Sequence, residues 1–184
     1  MLSSGRVEAL RRVQRVLVMG CSGAGKTTFA RALADKLAVP FVSLDRLFWQ
    51  PGWREPDSED FTAIVRAEAE KPAWIMDGDY IRSGAGEFRR ARAQAIVWFD
   101  LPRRVCLAGV LRRIATTHGK VRPDMAPGCP ERLDLAFLKY VWTYRDVQRP
   151  KLVAFFAALR ADQQLLTLTT RAQAAASLAI VGIA

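Results

Sequence analysis

The stretch Val16-Leu17-Val18-Met19-Gly20-Cys21-Ser22-Gly23-Ala24-Gly25-Lys26-Thr27-Thr28 decides the fold. Its four consecutive apolar residues read as a strand buried on both faces, and Gly20 to Thr27 match G-x-x-x-x-G-K-[ST]. From Lys26 to Ala38, Phe29, Leu33 and Leu37 recur at four-residue spacing until Pro40 stops the pattern, which predicts a helix. In a strand-loop-helix unit of this kind, successive backbone N–H groups cradle a phosphate and the helix N-terminus adds its positive dipole end. Gly20, Cys21, Ser22, Gly23, Ala24, Gly25, Lys26, Thr27 and Thr28 are therefore the candidate binding residues for ATP. Lys26 is placed to reach the β- and γ-phosphates, a catalytic role, and the Thr27 hydroxyl to ligate Mg²⁺. Cys21 reads as a small residue tolerated in the loop rather than as a nucleophile.

Working outward, Phe41 to Leu44 is a second candidate strand, and an aromatic loop from Asp45 to Pro56 leads to a helix from about Asp57. That helix carries Ser58, Glu59 and Asp60 in its first turn, where acidic groups suit the dipole, and Phe61, Ile64, Val65 and Ala69 as its buried stripe. Trp74-Ile75-Met76 and Ala95 to Phe99 are apolar runs ended by Asp77 and Asp100, the pattern of buried parallel strands. Helices are expected at about 103–116 and about 130–160, the second bent near Pro150. Leu165 to Leu168 gives a fifth strand and Ala172 to Ile183 a final helix. Alternation of this kind predicts a three-layer α/β/α sandwich around a five-stranded parallel sheet. Asp77, at the carboxyl end of a strand, is favoured over Asp100 as the second magnesium residue, because Asp100-Leu101-Pro102 reads as a strand exit and helix cap.

The chain of 184 residues suits a single domain, spanning 1–184, with an acceptor-side insert at about 45–71 and a lid at about 114–130. Its composition, 51% hydrophobic and 25% charged, excludes disordered and fibrous classes. Three cysteines far apart, with no C-x-x-C spacing, indicate neither a disulfide framework nor a zinc site and fit a cytoplasmic protein. The longest uncharged segment, Ala172 to Ala184, has 13 residues, whereas a membrane span needs about 20, so no membrane partner is expected. Nothing in the sequence sets an oligomeric state. The net charge is +10, and between Arg82 and Arg122 ten bases face two acids. Such a surplus suits nucleic acid, an anionic surface or a small polyanion.

With its segments Gly20 to Thr28, Leu44-Asp45-Arg46-Leu47-Phe48-Trp49-Gln50-Pro51-Gly52-Trp53, Trp74 to Tyr80 and Arg122 to Arg132, the chain resembles the adenylate-kinase-like P-loop proteins, in the subgroup of DNA topology modulation proteins (FlaR-like). The resemblance implies a P-loop NTPase fold of the nucleoside monophosphate kinase type, and a magnesium role for Asp77 at the position of the aspartate in D-G-[FY]-P-R. Arg82 matches the arginine of that motif only approximately, which leaves AMP in doubt as the acceptor. The segment from His118 to Cys129 sits where these kinases carry a lid. Arg112 and Arg113 stand where the family's lid arginines contact transferring phosphates, and Arg145 and Arg149 follow in a similar place.

The implied activity is phosphotransfer from ATP to a nucleotide or a small hydroxylated metabolite. A hydroxyl acceptor needs a general base, which Asp45 would supply against an aromatic wall including Trp49, as the corresponding aspartate does in shikimate-type kinases. A nucleoside monophosphate needs no base, and Arg46 with Arg82 would pair with its phosphate. The alternatives are an ATP-switched nucleic-acid-binding regulator, for which Arg89, Arg90, Arg92, Arg103 and Arg104 remain available, and an ATPase with no acceptor.

Overall fold

The strand that leads into the glycine loop, β1 (Arg15–Gly20), lies at the centre of the sheet because each of its residues from Val16 to Gly20 is buried. The computed structural model describes residues 4–181. Around β1 stand β2 (Phe41–Ser43), β3 (Trp74–Asp77), β4 (Ala95–Phe99) and β5 (Gln164–Leu168), in the order β2-β3-β1-β4-β5, all pairs parallel. The register sets Val18 beside Asp77 and Val97, so the carboxyl ends of β3, β1 and β4 open on the same edge. Successive strands add first to one side of β1 and then to the other, and ligands of open α/β sheets bind in the crevice where the order reverses.

The helices are α1 (Ser4–Ala9), α2 (Lys26–Leu37), α3 (Leu44–Phe48), α4 (Ser58–Glu70), α5 (Gly86–Arg92), α6 (Arg103–Thr117), α7 (Leu135–Val147), α8 (Arg149–Ala157) and α9 (Arg171–Val181). The three-layer sandwich and its five strands are as the sequence predicts. Several boundaries differ for physical reasons. The segment 45–48 is helical, not loop, because the Ser43 hydroxyl caps it by accepting from the Arg46 N–H. On α4, capped by Asp57, the stripe is Phe61, Val65 and Ala69, while Ile64 is 47% exposed. The expected helix from 130 starts only at Leu135, where the Asp134 carboxylate accepts from the Phe137 N–H at 3.0 Å. It is two helices, α7 and α8, divided at Gln148 with Pro150 in the first turn of α8. Residues 114–117, assigned to the lid, continue α6, whose Ile114 is buried. The expected final helix reached Ile183, which lies outside the described residues.

Helix α6 sets the glycine loop in place by backbone contact. A Cβ at Gly109 would lie 2.1 Å from the Gly23 carbonyl oxygen, and one at Gly23 would lie 2.1 Å from the Cys106 carbonyl oxygen. Helix propensity alone gives Gly109→Ala a gain of about 1 kcal/mol, but here the obstacle is backbone, which cannot rotate away, and overpacking of this kind costs roughly 1–3 kcal/mol. The clash is expected to win. Gly109→Ala should lower the urea midpoint and weaken nucleotide binding at least about tenfold by displacing the loop; a rise in the midpoint with unchanged binding would show that the loop yields freely.

Candidate active site

One cavity of about 1180 Å³ runs from the glycine loop, past the ends of β1 and β3, to the aromatic insert. At its loop end lie Gly20 and Ser22 to Thr28. Lys26 Nζ folds back and donates to the Cys21 carbonyl at 3.0 Å. Cys21 itself is buried, and the neighbouring Cys106 thiol together with burial pushes its thiol up. Thr27 Oγ1 donates to Asp77 Oδ2 at 2.5 Å. The other Asp77 oxygen, Oδ1, is buried without a hydrogen-bond partner among the described residues, and burial raises the carboxyl to about 6 despite Lys26 nearby. An orphaned buried oxygen beside a hydroxyl suits a divalent cation that takes most of its ligands from water and phosphate. No group of three or more metal-ligating side chains occurs among the described residues. Asp100 is unsuited to the metal role, because Arg149 grips both of its oxygens at 2.8 to 3.1 Å.

At the other end of the cavity stand Asp45, Phe48, Trp49, Trp53, Tyr80 and Arg82. The Tyr80 hydroxyl donates to Asp45 Oδ1 at 2.8 Å, and burial together with the Asp45 charge raises the phenol, keeping it a donor. Arg112 and Arg113 line the cavity from α6. Three predicted residues do not line it: Cys21, buried beneath the loop's cavity-lining residues, Arg46 and Arg145. Arg46 is exposed and donates to the Pro123 carbonyl at 3.1 Å. Arg145 is exposed on α7, one position beyond the buried Tyr144, and a helix turns about 100° between neighbours.

The structure adds residues that the sequence did not single out. Asp79 Oδ1 accepts from the Gly20 N–H at 2.7 Å and Oδ2 from the Tyr144 hydroxyl, which ties the loop to α7. Burial raises its carboxyl, against the pull of Lys26. Glu131 and Arg122 also line the cavity. The insert and the lid segment are joined in one cap: Met125, Ala126 and Cys129 pack against Trp49 and Trp53, the Gly52 N–H donates to the Gly128 carbonyl at 2.9 Å, and the Trp53 indole donates to the Pro130 carbonyl at 3.1 Å.

Much of the basic surplus is structural. Arg89 is fully buried and donates to the Gly84, Asp79 and Tyr80 carbonyls. Arg90 donates to the Phe155 carbonyl, Arg92 to those of Ala69 and Glu70, and Arg103 pairs with Asp146. Of the five arginines left open for nucleic acid, Arg104 alone has no side-chain hydrogen bond or ion pair among the described residues.

Strand order β2-β3-β1-β4-β5, with the glycine loop after the central strand, is the order of the shikimate and nucleoside monophosphate kinases. This is a P-loop NTPase fold of the kinase type. A family model described as "ATPase family associated with various cellular activities (AAA)" matches residues 16–100, which hold the glycine loop and Asp77. No curated protein matches the chain in sequence. Among solved structures, shikimate kinase from Acinetobacter baumannii in complex with shikimate superposes with a TM-score of 0.57 at 16% identity, covering 95% of this chain and 94% of its own. Shikimate kinase from Bacteroides thetaiotaomicron gives 0.54 at 20% identity, with 91% and 95% covered. A gluconokinase from Sinorhizobium meliloti gives 0.50 at 18%, with 92% and 93% covered. These likenesses establish the fold of this P-loop protein. Among the described residues no helix is long and apolar enough to cross a membrane.

Proposed function

We propose that the protein is an ATP-dependent kinase that phosphorylates a hydroxyl group of a small metabolite. The observation that carries this reading is the division between Asp45 and Arg46: the carboxylate lines the cavity that the glycine loop opens into, whereas Arg46, one of the two guanidiniums of the expected monophosphate clamp, turns out to the surface and leaves Arg82 alone of that pair on the cavity wall. Asp45 accepts the acceptor's hydroxyl proton as that oxygen attacks the γ-phosphorus, and ADP departs. Tyr80 holds Asp45 by its hydrogen bond. Lys26 and the loop amides bind the β- and γ-phosphates, and Arg112 and Arg113 face the charge that spreads over the transferring group. Thr27 and Asp77 would hold Mg²⁺, which when bound neutralises charge on the β- and γ-oxygens. The structural neighbours named shikimate kinase and gluconokinase support a small polyhydroxylated acid as the acceptor class. The segments that carry the resemblance to the topology modulation proteins fall on the loop, β3 and the cap, all of which line or cover this cavity.

ADP release with Mg-ATP and a panel of hydroxy acids, sugars and nucleoside monophosphates tests the reading. Release dependent on a non-phosphorylated hydroxylated acceptor, reduced about 10²–10³-fold or more by Lys26→Ala, is expected. Release with monophosphates alone, or release indifferent to any acceptor, would reassign the protein as a nucleotide kinase or an ATPase. Tight duplex DNA binding with a steep salt slope and no turnover would favour a nucleic-acid role.

A further inference from the structure

Glu131 is 4% exposed, and it lies between two arginines of the cavity wall. Arg113 Nη2 of α6 donates to its Oε1 at 3.0 Å, and Arg122 Nε of the cap stands 3.0 Å from its Oε2. Arg122 is further held by Asp124 at 2.7 Å. The backbone of Glu131 is fixed too: its carbonyl accepts from the Gly119 N–H at 2.8 Å and its N–H donates to the Lys120 carbonyl at 2.9 Å. Two guanidiniums side by side repel each other, the more so where water is scarce, and a single shared carboxylate offsets that repulsion. Each guanidinium has five N–H donors. Arg113 gives one of them to Glu131, and its Nε is buried with no hydrogen-bond partner among the described residues.

The place of this triad in the cavity follows from α6. Arg113 is one helical turn beyond Gly109, whose backbone abuts the Gly23 carbonyl, so it overhangs the phosphate end of the loop at a rise of about 6 Å. Arg113 also feels the charge of Asp45, after burial and Arg122 have pulled its pKa down. A side chain within reach of both the glycine loop and the acceptor carboxylate lies where a transferring phosphoryl group passes.

We propose that Glu131 is a positioning residue that holds Arg113 and Arg122 together as a clamp for the terminal phosphate of a bound nucleoside triphosphate. The proposal rests on the kinase reading above and adds to it a selectivity for triphosphate over diphosphate that is set by a carboxylate touching neither. Arg122 comes from the cap and Arg113 from the core, so the same carboxylate also fastens the cap over the phosphates.

Calorimetric titration with Mg-ADP and with the β,γ-imido triphosphate Mg-AMP-PNP tests it without an acceptor. The wild-type protein should prefer the triphosphate. Glu131→Gln should lower triphosphate affinity by roughly 10- to 100-fold, the span of one or two charge-assisted hydrogen bonds, while Mg-ADP affinity changes less than about twofold. Arg122→Gln, which leaves the buried carboxylate paired with Arg113, should lose the preference in the same direction and covers the case in which Glu131→Gln does not fold. Unchanged triphosphate affinity would overturn the clamp. So would tighter binding, which would mean that Glu131 competes with phosphate, or an equal loss for both nucleotides, which would mean a general collapse of the site. If the wild-type protein binds neither nucleotide, the kinase reading itself fails.

Discussion

Asp45→Asn is expected to lower acceptor turnover by roughly 10²–10⁴-fold, the usual contribution of a positioned general base, with little change in Mg-ATP affinity. Asn keeps an oxygen to accept from the Tyr80 hydroxyl and nearly the same volume, so the hydrogen bond at 2.8 Å and the aromatic packing of Tyr80 on Phe48 and Phe61 survive. What it loses is the ability to take a proton. The loss should therefore fall on kcat, with KM for the acceptor changing only a few-fold. Steady-state kinetics with the acceptor found in the panel, and calorimetry with Mg-ATP, separate the two. A variant with wild-type kcat would remove Asp45 from the proton transfer, and a variant that fails to bind nucleotide would make it structural.

The residues proposed to hold the nucleotide can be picked out from the sequence because their signals are local. The glycine loop, Lys26 and Thr27 are contiguous, and Asp77 ends an apolar run whose burial on both faces marks a central strand. The strand count and layer arrangement follow from the same apolar runs. The acceptor half is assembled across the sequence. Trp53 bonds the Pro130 carbonyl and Ser43 bonds the Asp124 carbonyl, so insert and lid are one unit although no periodicity links them. Asp79 meets Gly20 and Tyr144, each about sixty residues away, and nothing around Asp77-Gly78-Asp79-Tyr80 announces that second aspartate's partners. Helix α5 was missed because it starts from Ala85 in the left-handed region without a side-chain cap, and because the residue it buries most deeply in its middle is an arginine.

That arginine also changes what the basic surplus means. Counted along the chain, it reads as one more charge on a polyanion-binding face. In the fold it is a donor to main-chain carbonyls, as are Arg90 and Arg92. Guanidinium suits this work because its planar fork carries several donors at fixed angles and stays charged when partly desolvated. A net charge of +10 thus overstates the field the surface presents, because part of it is spent inside the loop that follows β3.

Arg89→Met is accordingly expected to destabilise the protein by about 3 kcal/mol and to raise acceptor KM more than it affects Mg-ATP binding. Two effects oppose each other. Removing a guanidinium that is fully buried, and whose pKa burial lowers to about 10, relieves a desolvation cost. Buried ion pairs can for that reason be exchanged for apolar side chains at little cost when both partners go. Here the partners are the carbonyls of Gly84, Asp79 and Tyr80, at 2.8, 2.9 and 3.0 Å, and they cannot be removed with it. Met fills the volume and leaves the three carbonyls without this donor, each lost bond costing about 1–3 kcal/mol, so the loss outweighs the relief. The segment they belong to also carries Tyr80 at φ 34° and Ala85 at φ 51°, conformations that persist only where the surroundings hold them. The consequence should therefore be local as well as global. Urea denaturation should show the lower midpoint, and hydrogen exchange should quicken across residues 79–86 more than across β1 and α2. Because Tyr80 and Arg82 sit on that segment and Tyr80 holds Asp45, the acceptor end of the cavity loosens first while the glycine loop keeps its grip on α6. A variant of unchanged midpoint and exchange would mean that the loop is held by its aromatic packing on Phe61 and not by the buried charge.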